Sequence, residues 1–60
     1  MEIKFWKTNK MNVEVIGKTE DDKFTIIKLL EPIYTSVNKK TIIYNIGTEI
    51  TVTDNELITL

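Results

Sequence analysis

Two clusters of this chain carry side chains that could do chemistry: Glu20-Asp21-Asp22 within "KTEDDK", and Asp54-Asn55-Glu56 within "IGTEITVTDNELITL". Paired carboxylates can serve as general acid and base, but glycosidase-type catalysis sets them about 5–9.5 Å apart across a cleft. Sixty residues are too few to enclose one. Carboxylates can also hold Ca²⁺ or Mg²⁺, yet "TEDDK" lacks the alternating acids, central glycine and distal glutamate of a calcium loop. Both clusters suit turns instead. Asp accepts turn geometry by bonding its own backbone, and Asp, Asn and Glu suit the start of one helical turn.

The rest of the inventory narrows the chemistry further. The chain has no His, Cys or Arg, and Ser36 is its only serine. Triads, cysteine nucleophiles and arginine clamps are therefore excluded within one chain, as are disulfides and ordinary zinc sites. The expectation is a protein that is not an enzyme and holds no cofactor or metal.

The elements that must carry these residues read as strands throughout, in a single domain over residues 1–60. Apolar residues alternate with period 2 and no segment shows a convincing 3.6 period. Ile and Thr, which favour a pleated, half-buried surface, supply about a third of the residues. Strands are predicted over Glu2–Lys7, Met11–Lys18 (Met11, Val13 and Val15 inward) and Lys23–Glu31, the last stopped by Pro32, which lacks an amide proton. "KTEDDK" is the hairpin tip between the second and third. A connection follows in "PIYTSVNKK", with an extended piece at Ile33–Val37 and a turn at Asn38-Lys39. Strands are then predicted over Thr41–Ile46 (Ile42, Tyr44 and Ile46 on one face), Thr48–Thr53 (Ile50 and Val52 inward) and Leu57–Leu60. Gly47 breaks the run where a positive φ is required.

The closing stretch "TEITVTDNELITL" resembles the last element of SH3-like barrels: a strand of inward hydrophobics, a single helical turn of small polar residues, then a short strand opening on an apolar residue. Val52, Thr53–Glu56 and Leu57–Leu60 map onto it. The resemblance covers about a quarter of the chain and implies an all-β fold, a small five- to six-stranded SH3-like barrel or strongly bent antiparallel sheet. The aromatic motifs by which SH3 domains take proline-rich peptides are missing, so that activity is not implied.

Charge and greasy surface bear on partners. Eight lysines face nine acids, a net charge of −1, which does not supply the concentrated positive field of a nucleic-acid binder. Residues 1–11 carry Lys4, Lys7 and Lys10 against Glu2, whereas residues 41–60 carry Glu49, Asp54 and Glu56 without a lysine. "KFWKTNK" still interleaves Phe5 and Trp6 with Lys4, Lys7 and Lys10, as a stacking and phosphate-binding surface would. Nucleic-acid binding by the Lys4- and Trp6-bearing strand is therefore the alternative. In the third strand Phe24, Ile26, Lys28 and Leu30 share one face and Thr25, Ile27, Leu29 and Glu31 the other, so either choice leaves large apolar residues outside. Joined by Trp6, Ile16 and Ile43, such residues call for a covering chain. The expected partner surface is Trp6, Lys4, Ile16, Ile27, Leu29 and Ile43, and the expected partners are a host protein and further copies in a homodimer or larger homo-oligomer.

Two expectations concern setting. The longest apolar runs, "FTIIKLL" and "TIIYNI", fall far short of the roughly 20 residues that span a bilayer, and no signal-peptide core opens the chain, so a cytoplasmic address without membrane contact is expected. Residues with AT-rich codons dominate while Ala, Arg and Gln are absent. With the short frame opening at Met1, that bias points to a phage or mobile element, and hence to an inhibitor of a bacterial host or defence protein.

Overall fold

The computed structural model describes residues 1–34 and 41–60. Seven strands follow one another: β1 (Glu2–Trp6), β2 (Met11–Lys18), β3 (Thr25–Leu29), β4 (Ile33–Tyr34), β5 (Ile42–Tyr44), β6 (Glu49–Val52) and β7 (Leu57–Thr59), with one turn of 3-10 helix, Asp54–Glu56, between the last two. Five form an antiparallel sheet in the order β6-β3-β2-β1-β7, while β4 and β5 pair only with each other. The all-β expectation holds, including the strand, helical turn and short strand at the C-terminal end.

The sheet is not closed into a barrel, which corrects the barrel form of the expectation. Closure needs β6 and β7 to meet, yet they are opposite edges. Thr53–Glu56 carries the chain from one edge to the other as a compact turn, leaving β7 with three residues, all laddered to β1.

One face of the sheet builds the core. Trp6, Met11, Val13, Ile27, Leu29 and Val52 are buried there, with Ile33, Ile50 and Leu57 packed against them. The register explains the set, since opposed residues of neighbouring strands share a face. Trp6 lies between Met11 and Leu57, Val13 between Lys4 and Leu29, and Ile27 between Val15 and Ile50. The opposite face carries Ile3, Phe5, Glu14, Ile26, Lys28 and Thr51.

Turn chemistry sets the boundaries. The tip between β2 and β3 is tied by Thr19 and Asp21. The Thr19 hydroxyl donates to Asp21 Oδ1 at 2.6 Å, the Lys23 N–H donates to the same oxygen at 3.2 Å, and Thr19 N–H donates to the Phe24 carbonyl at 3.0 Å. These bonds hold the Asp21 carboxyl below its ordinary range and draw Lys23 and Phe24 into the tip, so β3 starts later than its alternation predicts. Asp22 takes the left-handed conformation (φ 62°), which Asp tolerates in turns. Gly47 has φ 91°, as its position predicts, and its N–H donates to the Leu29 carbonyl at 2.8 Å.

Two departures matter later. The segment predicted as a strand of the main sheet, Thr41–Ile46, shrinks to β5 and pairs instead with Ile33–Tyr34 in a separate hairpin. The expected turn at Asn38-Lys39, the rest of the extended piece to Val37, and Ser36 lie outside the described residues. In addition, β2 is bulged: Val15 faces Ile27 but Gly17 faces Ile26, so Ile16 is the extra residue. A bulge of one residue reverses the alternation beyond it. Lys18, which strict alternation would set opposite Val15's face, therefore joins Thr25 on the packed side.

Candidate functional site

The carboxylates of Asp54 and Glu56 each accept several hydrogen bonds, Glu56 four and Asp54 two. Glu56 Oε1 accepts from the Thr8 hydroxyl at 2.7 Å and from the indole N–H of Trp6 at 3.2 Å. Its Oε2 accepts from the Thr53 N–H at 2.9 Å, and Thr53 and Glu56 make the reciprocal capping box of a helix start. The Lys7 N–H also donates to the Glu56 carbonyl at 2.8 Å. Asp54 receives Lys18 Nζ at 2.5 Å and the Thr25 hydroxyl. One helical turn thus binds the end of β1 and its loop through Glu56, and the β2–β3 hairpin through Asp54.

The electrostatics follow from that bonding. Hydrogen bonds from the Thr8 hydroxyl, the Thr53 N–H and the Trp6 indole stabilise the charged form of Glu56 and lower its pKa from 4.5 to about 2. Lys18 and then Thr25 lower that of Asp54, while Asp54 raises that of Lys18. A carboxyl depressed on folding contributes stability that is present above its unfolded pKa and is lost as pH falls through the folded one. For Glu56 the loss runs from about pH 4.5 to about 2. Glu56→Gln is expected to lower the melting temperature at neutral pH, with the gap to the parent narrowing over that window. A constant gap between pH 7 and 2, followed by circular dichroism, overturns the assignment.

Beside Asp54 a cleft of about 320 Å³ is lined by Glu2, Lys4, Val15, Lys18, Thr25 and Asp54. Its cations already face carboxylates, Lys18 on Asp54 and Lys4 at 3.8 Å from Glu2. No set of three or more metal-ligating side chains converges among the described residues, and no helix among them is long and apolar enough to cross a membrane.

The expected partner surface divides. Trp6, Ile27 and Leu29, named for that surface while the inward face of the third strand was open, are buried in the core. Trp6 is only 6% exposed, because it is wedged between Met11 and Leu57 with its N–H answered by Glu56. Ile27 and Leu29 lie on the face of β3 that meets Val15, Ile50 and Val13. Lys4 is half-buried at the rim of the packed face. Ile16 (44%) and Ile43 (50%) are exposed, Ile16 on the bulge and Ile43 on the hairpin. The six residues form no single surface.

A second group of exposed apolar residues stands around the β4–β5 hairpin, where Ile33 is opposite Tyr44 and Tyr34 opposite Ile42, so the two tyrosines alternate to different faces. Tyr34, Ile43, Tyr44 and Ile46 are between 46% and 62% exposed, on or beside the β4–β5 hairpin. The sequence signal for it is Pro32, which lacks the N–H that a strand continuing the main ladder beyond β3 would need. No family model, curated protein or solved structure matches this chain.

Proposed function

We propose that this chain is a non-enzymatic protein-binding module whose contact surface is the β4–β5 hairpin. The observation that carries the reading is the exposure of Tyr34, Ile43 and Tyr44, with Ile46 just beyond them, on a hairpin bonded to no other strand among the described residues. A two-stranded hairpin is marginal alone in water, and apolar patches of about 300–600 Å² on a monomer are often functional. Tyrosines suit such a surface because each offers a rigid apolar ring with a polar tip. The codon bias supports a phage or mobile-element origin, and the target we propose is a host or defence protein in the bacterial cytoplasm, inhibited by occlusion. The 3-10 turn between β6 and β7 supports an SH3-like kinship for the fold.

Burial of Trp6 removes the stacking residue from the nucleic-acid alternative, and Lys4 faces Glu2. The test is capture from bacterial lysate with the parent and with the double variant Tyr34→Ser, Tyr44→Ser. We expect a discrete host protein on the parent, weakened at least about 10-fold in the variant, as when hot-spot aromatics are removed, with the melting temperature nearly unchanged. Equal capture by both refutes the hairpin as the contact.

A further inference from the structure

We propose that the free edge of β6 pairs antiparallel with β6 of a second copy of this chain, about a two-fold axis at Ile50. The inference is independent of the hairpin and rests on which backbone groups remain to be satisfied.

Direction of hydrogen bonding alternates along an antiparallel strand. The Leu29 N–H donates to the Thr48 carbonyl at 2.9 Å, in step with the pairs Ile27↔Ile50 and Thr25↔Val52. The peptide groups of Ile50 and Val52 and the Thr48 carbonyl therefore turn toward β3, while the Thr48 N–H donates to the Asn45 carbonyl at 3.2 Å. Glu49 and Thr51 turn theirs to the other side, where no strand lies among the described residues. Both ends of this edge are closed. The Gly47 N–H is taken by Leu29 and the Thr53 N–H by Glu56.

Three antiparallel registers bring edge-facing residues opposite one another. Pairing Glu49 with Glu49 of the second copy opposes like charges, which is destabilising, and requires the occupied Gly47. Pairing Thr51 with Thr51 requires the occupied Thr53. Centring on Ile50 sets Glu49 opposite Thr51 twice, and each N–H and C=O of both residues finds a partner. Ile50, partly buried on the packed face, then meets its counterpart and extends that face across the axis.

The edge is short and carries one charge, Glu49, but "EITV" has no lysine, proline or bulge to bar pairing. By contrast β7, the other edge, is three residues long and its Leu57 N–H is held by the Asp54 carbonyl. A strand whose one complete register is with itself selects a second copy as its occupant.

Sedimentation equilibrium on the full chain over rising concentration tests this, with amide hydrogen exchange alongside. The expected result is a monomer–dimer equilibrium in which the Glu49 and Thr51 amides gain protection as dimer forms. Residue 51 then reads the register. Thr51→Lys, set opposite Glu49, tightens the dimer and Thr51→Glu loosens it, each by about 2- to 30-fold from two cross-strand pairs. Thermal melts at dilution check that both variants fold. A monomer at every concentration overturns the proposal. So does a dimer indifferent to residue 51, or one abolished by the Tyr34→Ser, Tyr44→Ser variant.

Discussion

Trp6→Ala is expected to leave the protein largely unfolded at room temperature. Stabilities of about 0.05–0.15 kcal/mol per residue give a 60-residue chain on the order of 3–9 kcal/mol. Truncating a buried tryptophan costs about 3–5 kcal/mol. Here the loss reaches further, because the indole fills the space between β2 and β7 and its N–H is one of the bonds that fix Glu56. Trp6→Phe keeps most of the ring and deletes the donor, so it is expected to fold with a lower melting temperature and a smaller acid-dependent loss. Urea titration read by circular dichroism separates the two variants. A cooperative, near-parental transition for Trp6→Ala refutes the core assignment and restores the indole as a surface anchor.

The second large effect is a contrast between neighbours. Ile27→Ser is expected to destabilise by at least about 2–5 kcal/mol, the cost of truncating a buried isoleucine, with a further cost for the buried hydroxyl. Ile26→Ser, one residue earlier on the opposite face, is expected to cost about 1 kcal/mol or less, near the centre of ordinary substitutions. Ile27 is wholly buried between Val15 and Ile50, whereas Ile26 is opposite Gly17, which carries no side chain to pack on it. Equal costs at the two sites contradict the assigned face.

That contrast marks where the sequence stops being legible. Period-2 alternation divides "FTIIKLL" into two faces but gives each large apolar residues, so the inward choice rests on partners distant in the chain. The same holds for β1, where alternation sets Trp6 on one face with Lys4 and so suggests a surface position for it. Burial of the indole depends on Met11 and Leu57, and the lysine is accommodated at the rim beside Glu2. Local signals fared better. β2 was readable to its ends, the "KTEDDK" tip from its acids, Gly47 from its need for positive φ, and the Asp-Asn-Glu corner as one helical turn. The Ile16 bulge has a faint mark in "VEVIGK", where Val15-Ile16 breaks the alternation and Gly17 follows, but neither fixes which residue is extra. Nor does alternation show that Ile33–Tyr34 and Ile42–Tyr44 pair with each other.

The pairing of β1 with β7 has a consequence for chain connectivity. Lys4 faces Thr59, so the first and last described residues lie on neighbouring strands, Leu60 reaching the level of Ile3. A short peptide link between them would bridge neighbours and leave every strand where it is. The fold is then indifferent, to first order, to where the backbone is opened. A circular permutant cut at the exposed Glu20-Asp21 tip keeps the same sheet order and the same core, and lacks only the bonds of that turn. Backbone cyclisation narrows the unfolded ensemble without touching the folded contacts, a form of stabilisation suited to a chain with no cysteine to crosslink.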